Sequence, residues 1–153
     1  MLEVGDALPD VALKDAAGTD FTLARYRGKT VVVYFYPKAD TPGCTSEAKD
    51  FTELAGEFEA IGVPVVGVSK DKPAKLTKFA DKYGLSVTLA SDEPGEACEA
   101  FGTWVEKSLY GRKYMGIERA TFLAGADGKV VRVWPKVKVK GHAAEVLEAA
   151  RAL

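Results

Sequence analysis

The run YFYPKADTPGCTSEA occupies residues 34–48. Its first three residues close an apolar, β-branched and aromatic stretch, TVVVYFY (residues 30–36), that predicts a strand buried on both faces. Pro37 ends it and a short polar turn follows. Thr41 is a preferred N-cap and Pro42 a preferred first helical residue, so a helix is predicted from Pro42 to about Ile61. Its apolar stripe is Ala48, Phe51, Ala55, Phe58 and Ile61, and Gly62 stands where a terminal glycine belongs. Cys44 then falls in the first turn, beside unpaired backbone N–H groups at the positive end of the helix dipole. Such a place stabilises a thiolate, the nucleophilic form of cysteine. The ordinary alternative for a free cysteine is a small buried hydrophobe.

Outward from this run, the flanking sequence alternates strands and helices. Residues 11–13 and 19–23 suggest a hairpin around Ala16-Ala17-Gly18. Residues 63–69, VPVVGVS, are a second buried strand. Asp71 and Pro73 open a helix that Gly84 ends, residues 87–90 form a short strand, and a helix from about Pro94 carries Cys98 and Phe101 to Gly102. Residues 103–116 are polar and aromatic and read as a loop with a tight turn. Residues 117–123 and 129–134 are strands joined by Gly125-Ala126-Asp127-Gly128, and residues 141–153 form a last amphipathic helix. The KVKVK run, residues 136–140, reads as an exposed strand or edge. The βαβ alternation implies parallel strands with right-handed crossovers, and the late hairpin adds antiparallel ones. A mixed central sheet flanked by helices, with a cysteine at the start of the first long helix, describes an α/β, thioredoxin-like fold in a single domain over residues 1–153.

Composition narrows the function. The chain has 153 residues, 47% hydrophobic and 28% charged, with a net charge of −1. That balance supplies no electrostatic reason to bind nucleic acid or an anionic membrane. The N-terminus lacks the basic and apolar regions of a signal peptide, and no apolar run reaches membrane-spanning length. Two cysteines are no disulfide framework, so a reducing, cytoplasmic location is expected. One histidine and two distant cysteines form no metal-ligand cluster, and no cofactor is expected. His142, near the start of the last helix, reads as part of a solvent-exposed cap.

Pro37, Thr41 and Cys44 form a PxxxTxxC pattern that resembles the signature of peroxiredoxins. The fuller run is similar to the bacterioferritin comigratory protein, or peroxiredoxin Q, group. So are GDALPDVAL (residues 5–13), VVGVSKD (residues 65–71) and YGRKYMGIERATFLAG (residues 110–125). The resemblance covers nearly the whole chain. It implies a monomeric peroxidase acting on hydrogen peroxide and organic hydroperoxides and recycled by thioredoxin or a similar thiol reductant. It also implies that Cys44 is the peroxidatic nucleophile, that Thr41 orients the peroxide, that Pro37 shields the site, and that Arg119 stands beside the thiolate. Glu47 lies in the matching run without an assigned role. Trp104, Tyr110 and Tyr114 either line an approach for organic hydroperoxides or simply pack in a loop.

The chemistry needs these residue types. A free cysteine, with a pKa near 8.5, is only about 3% thiolate at pH 7. Full ionisation would therefore raise the reactive population about thirtyfold, far short of the 10⁶-fold gain typical of enzymes. The remainder must come from holding the peroxide in line and stabilising charge as its O–O bond breaks. A guanidinium fork, a hydroxyl and helix N–H groups are suited to that.

The chain departs from the group at one step. Where many members carry a resolving cysteine five residues after the peroxidatic one, this sequence has Lys49, and residues 71–84 contain no cysteine. Either Cys98 resolves Cys44 through an intramolecular disulfide, which needs Cα atoms within about 7 Å, or Cys98 is a packed core residue and an external thiol reduces Cys44. A thioredoxin-type disulfide oxidoreductase would need Cys-x-x-Cys, but the residue three beyond Cys44 is Glu47. A redox sensor or holdase using the same thiol is the other alternative, and it would not require Thr41 and Arg119.

Overall fold

The computed structural model describes residues 1–153. Its centre is β3 (Val31–Phe35), in which every residue is buried. On one side β3 pairs parallel with β4 (Val65–Ser69), and β4 pairs parallel with β5 (Thr88–Ser91). On the other side β3 pairs antiparallel with β8 (Ala120–Ala124), and β8 with β9 (Val130–Trp134). The hairpin of β1 (Ala12–Asp15) and β2 (Asp20–Thr22) joins the far edge through β5. The sheet thus has seven strands in the order β2-β1-β5-β4-β3-β8-β9. This is a thioredoxin-like α/β fold with helices on both faces.

Side chains alternate across a strand, so β3 feeds two separate cores. Val31, Val33 and Phe35 enter one, covered by α4 (Glu96–Phe101) through Ala97, Cys98 and Phe101. Val32, Tyr34 and the following Tyr36 enter the other. That second core is covered by α1 (Pro42–Glu53), α3 (Pro73–Tyr83) and α5 (His142–Arg151). Phe51 of α1 is fully buried there, its ring stacked 4.8 Å from that of Tyr34. Burial of one such side chain is worth about 2–3 kcal/mol, which ties the helix to the strand that precedes it.

Four expectations need correction. The helix predicted from Pro42 to Ile61 breaks at Leu54 (φ −94°, ψ 4°), and a short α2 (Ala55–Ala60) continues it. Phe51 and Phe58 stay buried on either side of the break, whereas Ile61 is exposed. A periodic stripe records which residues face the core but not whether the backbone between them is continuous. Residues 103–116 are no loop. They contain β6 (Trp104–Leu109) and part of β7 (Arg112–Ile117), an antiparallel hairpin outside the main sheet. Tyr110 and Gly111 both have positive φ, 51° and 77°, as a two-residue type I′ turn requires. These strands are mostly polar and exposed, so they lack the alternation that marks a half-buried strand. Ile117 closes β7 rather than opening β8, which leaves Glu118 and Arg119 as the link between them. Finally, residues 136–140 are irregular rather than a strand, and the Val137 amide donates to the Arg119 carbonyl at 2.9 Å.

Candidate active site

The site forms where β3 ends and α1 begins. After Tyr36, whose amide donates to the Val68 carbonyl at 3.1 Å, the chain leaves the sheet and turns through residues 37–40. Thr41 takes the extended N-cap conformation (φ −105°, ψ 156°), and Pro42 is the first helical residue. Thr41 thus holds the N-cap position read from the sequence, but its side chain does not cap the helix. Its hydroxyl donates instead to the Lys38 carbonyl at 2.7 Å and closes the turn. The first intrahelical bond runs from the Thr45 amide to the Thr41 carbonyl at 2.9 Å. The amides of Gly43 and Cys44 precede it and have no acceptor within the helix.

Cys44 is 2% exposed and packs in the α1 core with Ala48 and Phe51. Arg119 approaches it from the link between β7 and β8, 75 residues away in sequence. One guanidinium nitrogen, Nη2, donates to Cys44 Sγ at 3.3 Å. The other, Nη1, donates to Glu47 Oε1 at 2.8 Å. The planar fork is therefore held at both tines, which fixes its direction as well as its charge. Gly43 permits the approach, because a Cβ there would stand only 3.2 Å from Arg119 Nη2. The Val137 amide fixes the arginine's own backbone. Burial opposes the Arg119 charge, but Glu47 and Cys44 more than offset it and raise its pKa.

Glu47 is the residue whose part the sequence leaves unassigned. It sits one turn beyond Cys44 on α1 and is 1% exposed. Its Oε2 has no hydrogen-bond partner within the protein. Burial pushes its pKa up to about 7, although Arg119 works in the opposite direction. A Glu among apolar residues on the buried stripe of a helix is the signal that marks it, since such a charge is almost never buried unless paired.

Pro37 lies at the lip of the site, exposed. With Trp104, Tyr114, Met115 and Ile117 it lines a cavity of about 390 Å³ flanked by lysines. Trp104 and Tyr114 therefore come together beside the active-site turn, whereas Tyr110 projects from the hairpin tip, 97% exposed, and takes no part. Its place in a type I′ turn explains why.

Cys98 does not join this group. It belongs to the core on the opposite face of the sheet, fully buried in α4, with its amide donating to Asp92 Oδ2 at 2.8 Å. Burial first, and the Asp92 carboxylate second, push its thiol pKa well up. Its surroundings thus oppose ionisation. His142 is buried rather than solvent-exposed. Its ring lies edge-on to Phe51 and Trp134, and Nε2 is 2.8 Å from the Thr121 hydroxyl. Burial lowers its pKa to about 4, so it is neutral at physiological pH. No three His, Cys, Asp or Glu side chains are grouped to hold a metal ion.

With that geometry in place, comparison with known proteins is direct. The profile of the AhpC/TSA family matches residues 4–133. The peroxiredoxin Bcp of Escherichia coli strain K12 is 46% identical over 141 residues, 92% of this chain and 90% of that protein. Two solved Xanthomonas campestris structures superpose closely. Peroxiredoxin Q, 44% identical, has a TM-score of 0.91 and matches over 99% of this chain and 96% of its own. The bacterioferritin comigratory protein, studied for alkyl peroxide reduction, is 42% identical with a TM-score of 0.89, over 96% and 98%. The chain therefore belongs to the AhpC/TSA family as a Bcp/peroxiredoxin Q-type peroxiredoxin, a thiol peroxidase.

Proposed function

We propose that Cys44 is the peroxidatic nucleophile of a single-domain, monomeric, cytoplasmic peroxidase for hydrogen peroxide and organic hydroperoxides. The Arg119 guanidinium, shared between Glu47 and Cys44 Sγ, is the observation that carries this reading. The thiolate attacks the hydroxyl oxygen of the peroxide, a sulfur–oxygen bond forms and the O–O bond breaks. Cys44 becomes sulfenic acid, and the second oxygen leaves as hydroxide or alkoxide and takes a proton from water. Arg119 and the unpaired Gly43 and Cys44 amides supply donors where negative charge develops. The Thr41 proton is already given to Lys38, so its oxygen offers lone pairs to the peroxide O–H and orients it. Pro37 walls the site from bulk water. Alkyl peroxide reduction by the Xanthomonas relative supports organic substrates, and the cavity beside Pro37 has room for an apolar substituent.

Recycling is assigned to an external thiol, thioredoxin or a similar reductant. A Cys44–Cys98 disulfide would require α1 or α4 to leave its face of the sheet, because the two cysteines occupy separate cores. The reducing compartment is supported by two cysteines that stand unpaired. The test is steady-state consumption of hydrogen peroxide and of an organic hydroperoxide with a thioredoxin system. Turnover should vanish in Cys44→Ser and fall about 10²–10³-fold in Arg119→Ala, as for loss of one charge-stabilising donor. Stoichiometric oxidation of wild type without turnover would instead favour a sensor or holdase.

A further inference from the structure

Apart from glycines, only two residues have positive φ: Tyr110, explained by its hairpin turn, and Asp40, at φ 61°. Asp40 lies immediately before Thr41 and belongs to no hairpin. An L-residue held in this region stores conformational strain, and such strain persists only where the surroundings over-determine it. Here they do. Tyr83 Oη donates to Asp40 Oδ1 at 2.5 Å, and Lys82 Nζ donates to Oδ2 at 3.0 Å and Oδ1 at 3.3 Å. Lys82 and Tyr83 are the last two residues of α3.

The neighbouring turn residue is tied to the beginning of the same helix. The Ala39 amide donates to Asp71 Oδ2 at 2.7 Å, and Asp71 in turn accepts from Ser69 Oγ at 2.8 Å and pairs with Lys75 at 3.3 Å. Tyr83 is itself fixed. Its ring meets Phe79 edge-on at 5.7 Å, and Lys49 Nζ of α1 lies 5.3 Å from its centroid. The phenol therefore touches the active-site turn, α1 and α3 together.

We propose that Asp40 is a positioning residue, a latch that with Tyr83 and Lys82 fastens the turn between β3 and α1 to the end of α3 and so holds Thr41 and the first turn of α1 in register for the reaction on Cys44. The proposal rests on the assignment of Cys44 as the reacting group. Asp40 touches no peroxide. It acts through the backbone that aims the Thr41 oxygen and the Gly43 and Cys44 amides. Tyr83 and Lys82 both hydrogen-bond to its carboxylate and hold the Asp40 pKa low, so the latch stays ionised at neutral pH. An exposed ion pair alone contributes little to stability, so a purely decorative contact would leave both activity and local order unchanged on removal.

The substitutions separate strain from latch. Asp40→Gly removes the carboxylate while accepting positive φ without strain. Tyr83→Phe keeps Asp40 and Lys82 but removes the phenol donor. Asp40→Asn tolerates positive φ and still accepts from Tyr83. Peroxide kcat/KM should fall about tenfold in Asp40→Gly and less in Tyr83→Phe, in proportion to the misplacement of the reacting groups, and Asp40→Asn should restore it. Amide hydrogen exchange at residues 43–47 should accelerate about tenfold in the first two variants, with the thermal midpoint nearly unchanged. Exchange reports the latch whether or not the chain turns over peroxide, so it is independent of the assignment of the reaction. Exchange and kcat/KM both within twofold of wild type in Asp40→Gly and Tyr83→Phe would overturn the proposal.

Discussion

The two faces of the sheet each hold one buried cysteine near a helix start, and they treat it in opposite ways. On the α1 face, Cys44 stands in the first turn of its helix and meets a guanidinium N–H. On the α4 face, Cys98 lies against core side chains with the Asp92 carboxylate nearby, and its thiol is pushed toward the neutral form. Both are almost inaccessible, at 2% and 0% exposure, so exposure does not distinguish them. The difference lies in the sign of the nearest charge, a guanidinium at Cys44 and a carboxylate at Cys98.

The largest test of this contrast exchanges the cysteines one at a time. Cys44→Ser should abolish turnover, whereas Cys98→Ser should leave thioredoxin-coupled kcat within about twofold, because no electron passes through the second core. Mass spectrometry of the peroxide-treated protein should find sulfenic or sulfinic acid at Cys44 and an unmodified Cys98. A Cys44–Cys98 disulfide in that sample would break the comparison and reinstate the internal route.

A smaller effect is expected from Glu47. Its folded pKa, about 7, lies above the value near 4.5 of an unfolded glutamate. The fold therefore binds the proton more tightly, and the associated stability is fully present below pH 4.5 and lost as pH rises through 7. A loss on the order of 1–3 kcal/mol is expected, and Glu47→Gln should remove it. An infrared carboxylic-acid band that disappears near pH 7 in wild type and is absent in Glu47→Gln would report the same group directly. Such a band vanishing near pH 4 would show that the Arg119 pair, not burial, governs this carboxyl.

His142, on the same face, has the opposite sign and an expected effect of similar size. Its folded pKa, about 4, lies below the unfolded value near 6.5, so its contribution is lost as pH falls from 6.5 to 4. Between pH 4.5 and 6.5 the two slopes oppose each other, and wild-type denaturation midpoints should be nearly flat. Glu47→Gln should uncover a midpoint that rises with pH, and His142→Gln one that falls. Identical profiles in all three proteins would show that neither group titrates in the fold as its burial implies.

Much of the fold was legible in the residues. The β-branched run before Pro37, Pro42 at a helix start and the glycines at helix ends each carry local information, and the predicted strand and helix order matches the structure apart from the hairpin β6–β7, the break in the first helix and residues 136–140, which form no strand. That hairpin escaped because its strands bury no continuous face. The helix break at Leu54 escaped because periodicity does not register a local change in backbone angles. In the site, Cys44, Thr41 and Arg119 could be named from the pattern. His142 was misplaced because a histidine near a helix start looks the same in sequence whether that end faces solvent or Trp134.

By itself, the sequence determined the helix start that carries Cys44, because caps, turns and strand runs are set by interactions within a few residues, and its motifs pointed to the family to which the chain belongs. Only the tertiary structure decided that Cys98 lies across the sheet from Cys44 and that one guanidinium spans Glu47 and the sulfur. It also decided that Glu47 is desolvated and that Asp40 is held by the end of a different helix. Those features depend on which faces pack together and on the water they exclude. Desolvation and long-range hydrogen bonds have no local signature, so residues as distant as Cys44 and Arg119 acquire their relation only when the sheet brings them together.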